Sequence, residues 1–197
     1  MPVKLTWCGL TSGTTIKNYR LYQSTNSGAY TTAISSTTTA SSTRSLSVSP
    51  TTYLFRARVL DNKGRVAYGI GPRFRVGRTQ DSSTAIVYST GWSKATSSSL
   101  SGGSSRYTKS AGKYATFTYT GRSFAIVGTK GAGRGSFNVY VDGVRVTPTA
   151  VSTKASSTQY RRVLYQRSMP FGVHAVRIVA TGNGRIDLDA ILTIAAG

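Results

Sequence analysis

Tyr53-Leu54-Phe55-Arg56-Ala57-Arg58-Val59-Leu60, closed by Asp61-Asn62-Lys63-Gly64, is the stretch that decides the fold. Tyr53, Phe55, Ala57 and Val59 share one parity and Arg56 and Arg58 the other, the period of a strand with one face in a core and one in water. The four residues that follow tolerate turn conformations, the left-handed region included. Beyond the turn, Phe74 and Val76 alternate with Arg73 and Arg75, which predicts a hairpin with one apolar and one cationic face.

Working outward, Val3, Leu5 and Trp7 share a parity, and Tyr19 and Leu21 follow. Near Gly77-Arg78-Thr79-Gln80-Asp81-Ser82-Ser83 the texture resets, predicting a linker and two domains, residues 1–78 and 79–197. The second half offers short apolar segments over 86–88, 114–120, 123–128, 137–141, 162–165, 174–180 and 186–194. Asp142-Gly143 is a hairpin signal between two of them. In the last segment Ile186, Leu188, Ala190, Leu192 and Ile194 define a core face. Segments of this length between Ser, Thr and Gly clusters are the pattern of β-sandwiches.

Composition narrows the function. Lys and Arg number 25 against 5 Asp+Glu, all of them Asp, a net charge of +20. A chain without Glu and without helical periodicity is not mainly helical. One cysteine, Cys8, excludes an internal disulfide framework, and with the single His174 it builds no zinc site. No apolar run approaches the ~18 residues of a membrane span. The first residues, Met1 to Leu5, lack a signal peptide's apolar segment, which fits a fragment of an exported protein or delivery without a signal.

The candidate chemistry is weak for catalysis. In the glycine-rich stretch from Gly128 to Gly135 a strand follows where a phosphate loop needs a helix, so a structural loop is expected, with Lys130 and Arg134 free to meet an anion. Asp187 and Asp189 are two apart on a strand, off the core face. They read as partners of nearby arginines first, as metal ligands or an acid pair second, because calcium takes six to eight oxygens and acid–base carboxylates flank a scissile bond. His174 has the parity of Val176 and Ile178 and reads as a core or edge histidine, so no nucleophilic triad is supported. No enzyme, cofactor or metal is expected.

Two resemblances fill in the fold. Leu5-Thr6-Trp7, the segment Ile16 to Tyr22 and the segment Tyr53 to Gly64 resemble a bacterial fibronectin type III domain over residues 3–76. That family carries Leu-Thr-Trp on its second strand, so the resemblance implies that strand A is missing and that the edge at Val3 to Trp7 is open or paired with another chain. Gly91-Trp92-Ser93, Ser101-Gly102-Gly103, Arg106-Tyr107, the stretch Gly131 to Gly135, the stretch Val139 to Gly143 and Ile186 to Ala190 are similar to galactose-binding-like, carbohydrate-binding-module-like sandwiches of bacterial secreted proteins over 86–194. The expected fold is all-β: two tandem β-sandwiches, the first fibronectin type III-like and the second a galactose-binding-like jelly roll.

Two sets of binding residues follow. Loop aromatics with nearby donors, Trp92, Tyr107, Arg134, Tyr160, Arg161 and Arg162, form the expected glycan site. Arg20, Arg56, Arg58, Arg73 and Arg75 are expected to lie exposed on one sheet as a polyanion-binding patch, because each alternates with a core residue. The leading expectation is a non-catalytic adhesive module, extracellular or on a cell surface, that binds a polysaccharide or another polyanionic surface. The alternatives are a structural assembly protein, such as a phage virion decoration or tail component, that recruits protein partners through its open edge strand, and non-specific nucleic-acid binding through charge alone. Membrane insertion is not expected.

Overall fold

The computed structural model of the protein describes residues 2–9 and 12–197, so Met1 lies outside the described residues. The chain is all-β; a 3₁₀ turn at Ser101–Gly103 is the one helical element among the described residues. Two compact units appear, residues 1–76 with 196–197 and residues 77–195.

In the first unit β1 (Pro2–Thr6) pairs antiparallel with β4 (Ser41–Ser45), forming a two-stranded sheet. The second sheet has the order β3-β2-β5-β6, built from β2 (Ile16–Thr25), β3 (Thr31–Thr37), β5 (Thr52–Asp61) and β6 (Val66–Ile70). Val3 and Leu46 from one side and Tyr19, Leu21, Tyr53 and Phe55 from the other are buried. The Tyr53 hydroxyl accepts from the Ser47 N–H at 2.8 Å, so burial leaves it partnered. β3 and β4 consist almost wholly of Ser and Thr, and sequence reading takes them for connectors. Pairing with β2 and β1, rather than an apolar pattern, makes them strands.

The hairpin expected beyond Asp61 has a different second arm. β6, not the Arg73 to Val76 stretch, returns along β5, matching Arg56 with Ile70 and Arg58 with Tyr68. β7 (Phe74–Gln80) meets β5 only at Thr52 and Tyr53. The expected linker at 77–83 is therefore strand as far as Gln80.

The second unit contains β8 (Ile86–Tyr88), β9 (Ser93–Thr96), β10 (Ser104–Thr108), β11 (Tyr114–Lys130), β12 (Ser136–Val141), β13 (Val144–Arg145), β14 (Val151–Ser152), β15 (Gln159–Ala180), β16 (Ile186–Leu188) and β17 (Ala190–Ala196). β11 and β15 pair antiparallel over most of their length. β8 and β17 join β11, β12 joins β15, and β13 and β14 join β12. A smaller sheet has the order β16-β10-β9. Phe117, Phe124, Ile126, Phe137, Val139, Ile178 and Leu188 are among the residues of the buried core. Asp142 and Gly143 take φ of 52° and 83°, the positive values that a two-residue hairpin between β12 and β13 requires.

Segments 114–120 and 123–128, read as separate strands, are one strand. The register shifts at Gly121, where the chain turns past the backbone of β17; a Cβ built there lies 2.2 Å from the Ile194 carbonyl oxygen. Glycine alone allows that approach. Gly121→Ala is expected to destabilise the second unit by about 3 kcal/mol. Gly133→Ala, where a Cβ meets nothing within 4 Å, is expected to be close to neutral. Urea unfolding of the two variants checks the difference.

Candidate functional site

Asp187 on β16 lies opposite Tyr107 on β10. Its side chain is buried and takes three hydrogen bonds: Arg134 Nη1 to Oδ2 at 2.5 Å, and Arg185 Nε and Nη2 to Oδ1 at 2.9 and 2.5 Å. The Arg185 guanidinium rests 3.7 Å from the centre of the Tyr107 ring. Tyr107 and Arg134 of the expected glycan site are thus brought together, as parts of one ion-pair cluster that already engages the guanidinium and one ring face.

Of the other four residues of that expectation, Trp92 and Arg161 have their own tethers. Trp92 donates from Nε1 to the Tyr114 carbonyl at 3.1 Å and packs beside Tyr88, 5.1 Å between centroids, against the core. Arg161, at φ 53°, donates to the carbonyls of Ser98 and Leu100 at 2.9 and 3.1 Å. Arg162 is exposed on β15 opposite Gly128, and Tyr160 is 43% exposed. Tyr107 and Tyr160 lie in strands rather than in the loops their Ser- and Thr-rich surroundings suggest, since strand pairing overrides composition.

Asp187 and Asp189 depart from the expected solvent-facing pair on one strand: Asp187 is on β16, Asp189 is in the break between β16 and β17, and residues 186–190 are all buried. Asp189 accepts from the Ser101 N–H at 2.9 and 3.1 Å through its two oxygens. Burial pushes its pKa up to about 6, the Ser101 hydrogen bond opposing and the nearby Asp81 and Asp187 carboxylates adding to the rise, while Arg161 lowers it.

A groove of about 620 Å³ lies on the outer face of β11, β15 and β12. Thr116, Arg177 and Tyr140 stand in one row across the three strands, with Thr118 opposite Ala175 beside it. The Arg177 guanidinium also covers the Tyr114 ring at 4.0 Å. A phenol ring, two threonine hydroxyls and a guanidinium over a flat sheet offer stacking and hydrogen bonds in both directions. Sequence reading assigns the site to loops and misses these residues. Their signal is parity: Thr116, Tyr140 and Arg177 each alternate with the buried pairs Ala115/Phe117, Val139/Val141 and Val176/Ile178.

In the first unit cross-strand partners share a face, so Arg20 opposite Arg58, Tyr22 opposite Arg56, and Tyr68 opposite Arg58 stand together on the outer side of β2, β5 and β6. Arg56 is half-buried rather than exposed, because three rings surround its guanidinium: Tyr30 at 4.4, Tyr22 at 4.9 and Tyr68 at 5.1 Å. Arg58 is half-buried too, and Arg20 is exposed with its Nε on the Ser35 carbonyl. Arg73 and Arg75 are not beside them, since β6 occupies that place; Arg75 is exposed opposite Thr52, on the same face but further along β5, and Arg73 is half-buried. The expected patch of five exposed arginines is a group of three set among tyrosines.

Asp61 is the one acidic residue among residues 1–76, and it is already engaged. It is buried, which by itself raises its pKa, but the Arg65 N–H and guanidinium and the Lys63 N–H bond to it and hold it below the usual carboxylate range. Among residues 1–76 no other acidic side chain is left to neutralise the arginines.

No protein-family model matches the chain, and no curated protein matches it. Among solved structures it is similar to a family 35 carbohydrate binding module from Clostridium thermocellum, 12% identical with a TM-score of 0.45 over 61% of this chain and 98% of that one. It is similar to CBM35 from Paenibacillus barcinonensis, 17% identical, TM-score 0.46, over 61% and 98%. It is also similar to the Agl-KA catalytic domain, 16% identical, TM-score 0.47, over 62% of this chain. The chain spans 28% of the length of the Agl-KA catalytic domain and 34% of a family two carbohydrate esterase from Cellvibrio japonicus.

The raised pKa of Asp189 has a pH consequence. Between the unfolded value of 3.8 and about 6 the folded protein keeps a proton that the unfolded chain has released. Stability from this group is full below that window and is lost as pH rises through it, by up to about 3 kcal/mol. Asp189→Asn is expected to abolish this difference, seen by comparing urea unfolding of the variant and the parent at pH 4 and pH 7.

Proposed function

We propose that the protein is a non-catalytic binding module that attaches to an acidic polysaccharide. The observation that carries this reading is the outer face of β2, β5 and β6, where Arg20, Arg56 and Arg58 stand among Tyr22, Tyr30 and Tyr68 while Asp61, the one acidic residue among residues 1–76, is paired with Arg65. Arg20 and Arg58 facing each other across strands cost some tenths of a kcal/mol, a cost that an anionic ligand turns into attraction. The rings fix Arg56 in place, so less side-chain freedom is lost when it binds. Sugar rings carrying carboxylate or sulfate groups match such a surface, apolar faces on the tyrosines and anions on the guanidinium groups.

In this reading the first unit is a fibronectin type III-like sandwich without strand A; the pairing of β1 with β4 and the order β3-β2-β5-β6 support it. The second is a galactose-binding-like sandwich that takes sugar units in the groove over Thr116, Tyr140 and Arg177. Its host is an exported or surface-displayed protein, as the two resemblances imply.

Retention on a heparin-like column tests the arginine face. Arg20→Ser with Arg58→Ser is expected to weaken binding roughly tenfold with the fold intact, each surface charge being worth up to about 1 kcal/mol. Arg73→Ser with Arg75→Ser is expected to change it far less. Unchanged retention in the first variant means that the binding charge lies elsewhere, around Arg134, Arg161 and Arg162, and overturns the assignment.

A glycan array read at low and high salt separates the two units. Binding that survives salt is expected to depend on the groove and to disappear in Tyr140→Ala, since stacking and neutral hydrogen bonds are not screened as charge contacts are.

A further inference from the structure

Between the two sheets of the first unit lies a groove of about 600 Å³, walled by Leu5, Trp7, Leu21, Phe55, Val59 and Phe74. Sandwich interiors are normally close-packed, and here three of the residues that face the gap from β5 and β6, Ala57, Ala67 and Gly69, are small. Ala57 is paired with Gly69, and Ala67 with Val59. A Cβ built on Gly69 meets nothing within 4 Å. The Trp7 indole N–H at this wall is shielded from solvent and has no acceptor among the described residues.

The groove is flanked by two free strand edges. Among the described residues β1 pairs only with β4 and β6 only with β5. The Trp7 backbone N–H donates to the Ala40 carbonyl. By strand alternation Val3 and Leu5 also turn their backbone groups toward β4, and Lys4 and Thr6 turn theirs to the open edge. An extended chain laid along that edge finds backbone partners at Lys4 and Thr6 and places every second side chain in the groove.

Charge selects the occupant. Residues 1–76 carry ten Lys and Arg against one Asp, and Lys4 is exposed on the face where the intervening side chains of an added strand stand. Opposite charges at neighbouring cross-strand positions are favourable. A second copy of this chain, itself +20, is a poor match.

We propose that this groove accepts an extended strand from a partner protein, with aliphatic residues at alternate positions filling the gap and acidic residues between them, paired along the free edge of β1. The mode is β-strand addition, in which main-chain hydrogen bonds supply register and side-chain pockets supply selectivity.

The test titrates the full chain with a nine-residue peptide alternating aspartate and valine, followed by calorimetry and by Trp7 emission in a Trp92→Phe background. Binding is expected, with peptides in which serine replaces valine, or lysine replaces aspartate, at least tenfold weaker. Thr6→Pro removes an outward N–H that β4 does not use, and Gly69→Leu fills the groove; each is expected to weaken binding at least tenfold. Should Thr6→Pro fail to fold, Gly69→Leu decides alone. Arg20→Ser with Arg58→Ser, which tests the polysaccharide face, is expected to change peptide affinity less than threefold. Absence of binding, equal binding of the serine peptide, or indifference to Gly69→Leu overturns the proposal. Self-association that Thr6→Pro abolishes overturns it in favour of a second copy.

Discussion

The antiparallel pairing of β11 with β15 is the constraint on which the second unit depends. β11 offers its edges to β8, β15 and β17, and β15 in turn carries β12, so the groove row of Thr116, Arg177 and Tyr140 exists because these three strands are in one register. The bulge at Gly121 lets a single strand serve both halves of the sheet. A one-residue slip would exchange the buried Phe117 and Ile178 with the exposed Thr118 and Arg177, which the apolar core forbids.

Scarcity of carboxylates organises the rest. The chain has five, and each has a fixed task. Asp61 closes the turn after β5 with Arg65, Asp187 holds Arg134 and Arg185, and Asp142 bonds His174 Nδ1 at 2.8 Å. Asp81 accepts from the Ser104 hydroxyl and Asp189 from the Ser101 N–H. Among the described residues the other Lys and Arg side chains have no carboxylate at ion-pair distance, so the protein's positive field acts outward, on whatever anion approaches. Cation–π contacts substitute in part: Arg56, Arg106, Arg122, Arg177 and Arg185 all sit over aromatic rings.

The two units present different surfaces. The first carries its charge on a sheet face and leaves apolar wall between its sheets uncovered. The second packs a continuous aromatic and aliphatic core, and its polar groove lies outside it.

The amino-acid sequence by itself determined the β class, the turn at Asp61 to Gly64, the hairpin at Asp142-Gly143 and the core parity of Tyr53, Phe55, Val139 and Ile178, because these follow from local backbone preference and two-residue alternation. It also determined that arginine alternates with core residues in β5. The tertiary structure alone decided which strands are neighbours. β6 rather than the Arg73 to Val76 stretch lies beside Arg56 and Arg58, the Ser/Thr segments β3 and β4 are strands, and Asp187 and Asp189 are buried. Alternation assigns a side chain to one of two faces but carries no information on what covers that face or which strand lies next to it. Those depend on pairings between residues far apart in the chain.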